Sequence, residues 1–80
     1  MKRIPVISTD LKSVGYDEAQ KILEVEFLNK SIYQYSRVTA DIYENLINAN
    51  SKGEYFSAKI KNNRLYGCRK IFPIPKFVRG

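Results

Sequence analysis

The sequence predicts an α+β domain: a three-stranded antiparallel meander followed by two helices and an extended C-terminal segment. Three observations carry this reading. Leu23-Glu24-Val25-Glu26-Phe27 alternates apolar and charged residues, the period of a strand with one buried face. Ile42, Tyr43, Leu46 and Ile47 recur at helical spacing and form one apolar stripe. Pro73 and Pro75 forbid a helix in the last stretch. At 80 residues and 9.3 kDa there is room for one core, so residues 1–80 are read as one domain. Its core is expected at about residues 8–70, with 71–80 as an apolar tail.

The elements follow in order. Val14-Gly15-Tyr16 is a short apolar strand, and Asp17-Glu18-Ala19-Gln20-Lys21 is a polar turn. The alternating strand comes next and points Leu23, Val25 and Phe27 at the core. Asn29-Lys30 interrupts the pattern before Ser31-Ile32-Tyr33-Gln34-Tyr35 resumes it as the third strand. Thr39 stands where an N-cap would open the first helix, and Asn48-Ala49-Asn50 ends it. Ser51-Lys52-Gly53-Glu54 has capping-box spacing for a second helix. Phe56 and Ile60 supply its buried contact, and Asn62-Asn63 closes it. From Leu65 to Phe77 the chain is expected to be extended.

Composition excludes several kinds of chemistry. There is no histidine, which removes histidine-based acid–base and triad catalysis and the usual zinc sites. Cys68 is the single cysteine, so no internal disulfide can form. No apolar run approaches the roughly 20 residues needed to span a bilayer, and Met1-Lys2-Arg3-Ile4-Pro5 does not read as a secretory signal. A cytoplasmic protein without membrane contact is expected. No cofactor, metal or catalytic residue is assigned. Glu24 and Glu26 share a strand face, but alternation alone produces such a pair, and Cys68 beside Arg69 and Lys70 has no histidine partner.

Charge gives the positive signal. Residues 1–50 hold six basic and seven acidic side chains, a net of −1, whereas residues 51–80 hold eight basic and one acidic, a net of +7. Clustered lysine and arginine attract phosphates, so the basic half is read as the surface for an anionic partner, RNA or a nucleotide. Its anion site is placed at the start of the second helix, on Ser51, Lys52 and Gly53, where free amides and the helix dipole favour negative charge. Capping by Ser51 and Glu54 explains the same residues without a ligand. Lys59, Lys61, Arg64, Arg69 and Lys70 would extend the site into a groove along a phosphate backbone, with Tyr55 and Tyr66 able to stack there or to pack.

Hairpin register decides two further tyrosines. A two-residue Asn29-Lys30 turn pairs Glu26 with Tyr33 and Glu24 with Tyr35, which puts both rings on the open face as a stacking platform. An odd-length loop reverses the pairing and sends both rings to the core. Lysine suits the left-handed turn position poorly, so both loops stay open at this stage. The apolar tail Ile71-Phe72-Pro73-Ile74-Pro75-Lys76-Phe77-Val78 must pack, either on its own sheet or on a neighbouring chain as part of a homo-oligomer.

An ordered set of residues is similar to a known family. Val14-Gly15-Tyr16-Asp17, the strand 23–27, Tyr33-Gln34-Tyr35, Tyr43, Leu46, Ala49, Ser51-Lys52-Gly53 and Tyr55-Phe56 together resemble the KTSC domain. That module occurs at the C-terminus of some lysyl-tRNA synthetases and as a free-standing bacterial or phage protein. The resemblance covers about residues 8–70 and implies the fold; through the synthetase setting it also implies RNA binding. Lys30 stands where the family usually has glycine, Thr39 where it often has proline, and Tyr66-Gly67-Cys68 where an aromatic–proline–aromatic run is common. Two readings of function result. One is a non-catalytic module for RNA or single-stranded nucleic acid; the other is a small oligomer that sequesters a nucleotide or cyclic nucleotide, as in phage counter-defence.

Overall fold

The alternating segment forms the middle strand of a five-stranded antiparallel sheet. The computed structural model describes residues 2–72. The elements are β1 (Arg3–Pro5), β2 (Leu11–Asp17), β3 (Ile22–Phe27), β4 (Ile32–Ser36), α1 (Ala40–Asn48), α2 (Lys52–Phe56) continued by a π-helical turn (Ser57–Lys61), and β5 (Gly67–Phe72). Strand order in the sheet follows the chain, β1-β2-β3-β4-β5. The fold class is α+β as expected, but the sheet has five strands rather than three. β1 has three residues and a proline, too short to show alternation, and it is recruited by pairing Ile4 with Val14. β5 does lie in the segment read as extended. The ladder shifts between Ile32 and Tyr33, which leaves Ile71 as an extra residue and breaks the alternation at that end of the strand.

A three-residue loop settles the β3–β4 register. Phe27 N–H donates to the Ser31 carbonyl at 2.9 Å and Lys30 N–H to the Phe27 carbonyl at 2.9 Å, so Leu28, Asn29 and Lys30 form the turn. Lys30 takes a left-handed φ of 75°, a conformation that glycine adopts more readily. Asn29 Oδ1 braces the turn by accepting from the Ser31 amide at 2.9 Å and from its hydroxyl at 2.6 Å. Val25 therefore faces Tyr33 and Leu23 faces Tyr35, while Glu24 faces Gln34. The two-residue turn and its open-face tyrosine platform are not formed. Both rings lie on the core side.

Both helices pack on that side. Leu11, Val14, Leu23, Val25 and Tyr35 of the sheet meet Val38, Leu46, Phe56 and Ile60 in one buried cluster. Leu46 is the buried member of the α1 stripe, and Ile42, Tyr43 and Ile47 pack around it. Thr39 occupies the N-cap position without bonding a helix amide. Its hydroxyl instead holds the Asp41 carboxyl below the usual carboxylate range, with backbone amides contributing further. Ser51 does cap α2, accepting from the Glu54 amide at 3.3 Å.

The other face of the sheet carries a polar ladder. Arg3 pairs with Glu24 and donates from Nε to Ser13 Oγ at 3.0 Å; Ser13 donates to Glu26 Oε1 at 2.9 Å; and Gln34 donates to Glu24 Oε1 at 2.8 Å. Glu24 is almost buried there, so the strand-face carboxylates are held by β1, β2 and β4. Among the described residues no helix is long and apolar enough to cross a membrane. Residues 73–80, and with them most of the tail assigned to packing or oligomerisation, lie outside the described residues.

Candidate nucleic-acid interface

Four aromatic rings run edge to face beneath an open groove on the helical side of the sheet. Tyr33 meets Phe27 at 5.6 Å and 81°, Phe27 meets Phe56 at 5.6 Å and 66°, and Phe56 meets Tyr35 at 5.3 Å and 81°. Alternation on β3 and β4 aims three of them inward, and the four-residue spacing of Phe56 and Ile60 aims α2 back at them. Phe56 and Tyr35 are buried, whereas Phe27 and Tyr33 are only half covered. The groove they line is about 620 Å³. It lies between the β3–β4 turn, β5, the Thr9-Asp10 loop and the π-helical turn.

The basic residues divide between two faces. Lys61 lines the groove from the π-helical turn. Lys70 stands opposite Tyr33 in the ladder, which puts it on the same side of the sheet. Arg64 is exposed on the connection into β5. Arg69 stands opposite Gln34 and lines a separate hollow of about 270 Å³ with Gln34 and Ser36, towards the polar face. Lys59 is exposed outside the groove lining. The eight basic and helix-start residues expected to make one surface are thus only partly gathered.

The start of α2 packs closely against the loop before β2. Gly53 is buried, and a Cβ placed on it would lie 2.9 Å from Asp10 Oδ2 and 3.3 Å from Ser8 Oγ. The Asp10 carboxylate therefore lies beside Gly53, close to the start of the helix. Ser51 is engaged as the cap, and Lys52 Nζ donates to the Ala49 carbonyl at 3.3 Å. The Ser51 cap is the one the capping alternative describes. Tyr55 and Tyr66 are half-buried against the core cluster.

Phe27 and Asp10 belong to the groove and were not singled out by sequence reasoning. Phe27 carried the signal of a core residue. Nothing local marks Asp10, which reaches the site because its carbonyl accepts from Leu28 N–H at 3.1 Å and ties its loop to the β3–β4 turn.

Burial also shifts the phenols. It raises Tyr35, with a smaller contribution from the neighbouring Cys68 thiol, and it raises Tyr43. Phenols in an unfolded chain ionise near about pH 10. A raised folded value means that the stabilising contribution is complete below that pH and lost as pH climbs towards the folded value. The urea midpoint is therefore expected to hold to about pH 9 and fall above about pH 10, with phenolate absorbance appearing as the protein unfolds. A midpoint unchanged well above that pH would contradict the buried placement of these rings.

The KTSC domain profile matches residues 7–66. The chain belongs to the KTSC domain family. A crystal structure of a KTSC domain protein from Yersinia pestis superposes with a TM-score of 0.83 at 38% identity, covering 88% of this chain and 96% of that one. An uncharacterised protein of Stutzerimonas stutzeri is 41% identical over 61 residues, covering 76% of this chain and 86% of the relative. The lysine–tRNA ligase of Nostoc punctiforme is 37% identical over 51 residues, covering 64% of this chain but 9% of the ligase. The chain thus matches a small part of that enzyme, and apart from Cys68 the residues lining the groove lie within the span 7–66 matched by the family profile.

Proposed function

We propose that this KTSC domain is a non-catalytic binding module for single-stranded RNA. Unpaired bases enter the groove and stack on Tyr33 and Phe27, while Lys61, Lys70 and Arg64 hold the backbone phosphates. The observation that carries this is the half-exposed aromatic pair with Lys61 at the same groove. Single-strand recognition needs that combination, since π-faces accept any base and cations follow the backbone. The excess of positive charge in residues 51–80 supports it, as does the similarity to part of a lysine–tRNA ligase.

Titration of a fluorescent single-stranded RNA at several salt concentrations tests the reading. Three phosphate contacts give a log–log salt slope of about −2, at about 0.7 per contact, and Lys61→Ala is expected to remove one such increment. Tyr33→Ala is expected to weaken binding by about 1–3 kcal/mol while leaving the slope in place. No binding at low salt overturns the proposal. The groove volume of about 620 Å³ also favours a second reading, capture of one nucleotide, because it lies within the usual range of small-ligand pockets. A thermal shift with a mononucleotide and none with RNA would decide for that reading.

A further inference from the structure

We propose that the groove prefers guanine, read by the carboxylate of Asp10. The inference rests on the RNA-binding reading above and names the base that the site selects. Asp10 is exposed and lines the groove that Phe27, Tyr33 and Lys61 also line. Its backbone is pinned on both sides: its amide donates to Ser8 Oγ at 3.1 Å, and its carbonyl accepts from Leu28 N–H at 3.1 Å. Its carboxylate lies beside the buried Gly53. Among the described residues, Glu24 and Glu26 are ion-paired on the opposite face, whereas no lysine or arginine lies within pairing distance of Asp10.

A carboxylate in a groove for a polyanion sorts what can face it. Phosphates are repelled and keep to Lys61 and Lys70, so a stacked base turns its edge to Asp10. An ionised carboxylate only accepts hydrogen bonds. Guanine offers two adjacent donors on its Watson–Crick edge, N1–H and the N2 amino group, and can satisfy both oxygens at once. Adenine and cytosine offer one amino donor beside an acceptor nitrogen. Uracil offers one N–H between two carbonyl oxygens, both of which the carboxylate repels. A bidentate match of this kind gives about tenfold or greater discrimination.

Four uridine hexaribonucleotides, each with G, A, C or U at one central position, test this by fluorescence anisotropy at low salt. The wild-type protein is expected to bind the guanine oligomer about tenfold more tightly than the all-uridine one. Asp10→Asn keeps the size of the side chain but replaces one acceptor by a donor, and it is expected to abolish the guanine preference while all-uridine affinity is kept or raised. A circular dichroism melt establishes that the variant is folded, and Asp10→Glu, which retains the carboxylate, is expected to keep part of the preference. Equal affinity for all four oligomers, or a guanine preference that survives in folded Asp10→Asn, overturns the guanine inference alone. Failure of all four to bind overturns the RNA reading and this inference with it.

Discussion

Phe56→Ala is expected to lower the unfolding free energy by about 3–5 kcal/mol, the usual cost of deleting a buried phenyl ring. Phe56 is 1% exposed and holds both Phe27 and Tyr35 edge to face. Its helix has five α-helical residues, far too few to be stable alone, so α2 exists because this ring and Ile60 anchor it to the sheet. A chain of this length is stabilised by roughly 4–12 kcal/mol in total, so the variant loses a large share. Urea denaturation measures the change. An unaltered midpoint would mean that α2 is held by something other than the aromatic contacts.

Gly15→Ala is the second large effect, about 1–3 kcal/mol from overpacking. A Cβ at this position falls 2.7 Å from the Lys2 carbonyl oxygen and 3.2 Å from Arg3 Cα. Both are backbone atoms, so no side-chain rotation relieves the contact. β1 must move away from β2, and the Arg3 guanidinium is carried off Glu24, which is 8% exposed. Glu24 then keeps Gln34 as partner but loses its cation. Hydrogen exchange is expected to show lost protection at Ile4 and Val14, with β3 and β4 unaffected. Full protection of β1 in the variant would contradict this account.

Legibility in the sequence followed the range of the interactions. The alternation at residues 23–27, the α1 stripe, the Phe56–Ile60 pair and the Ser51 cap are all encoded within a few residues, and each appears where its spacing places it. Register was harder because it hangs on Lys30, whose left-handed backbone runs against the preference of lysine. Once the loop has three residues, every side chain of β4 changes face relative to the two-residue alternative. β1 and β5 are defined by pairing across the chain, and pairing leaves little trace in a short, non-alternating segment. The candidate site was legible as charge but not as shape. Counting lysines and arginines cannot tell that Lys70 and Arg69, adjacent in sequence, look to opposite sides of the sheet, or that Asp10 lies beside Gly53.

The crossing from β4 to β5 has a kinetic meaning. Strands β1 to β4 each pair with a neighbour across a short connection, but β5 reaches Ser36 through Gly67 only after thirty intervening residues. Closing that longer loop costs chain entropy before the ladder returns any of it. β5 also forms one outer strand of the sheet and is largely exposed along its length. It is therefore a strand expected to dock late during folding and to open from the native state at a free energy below that of global unfolding. Opening it would remove one wall of the aromatic groove while α1, α2 and the central strands keep their packing, so access to the groove is set by the hold of this one outer strand.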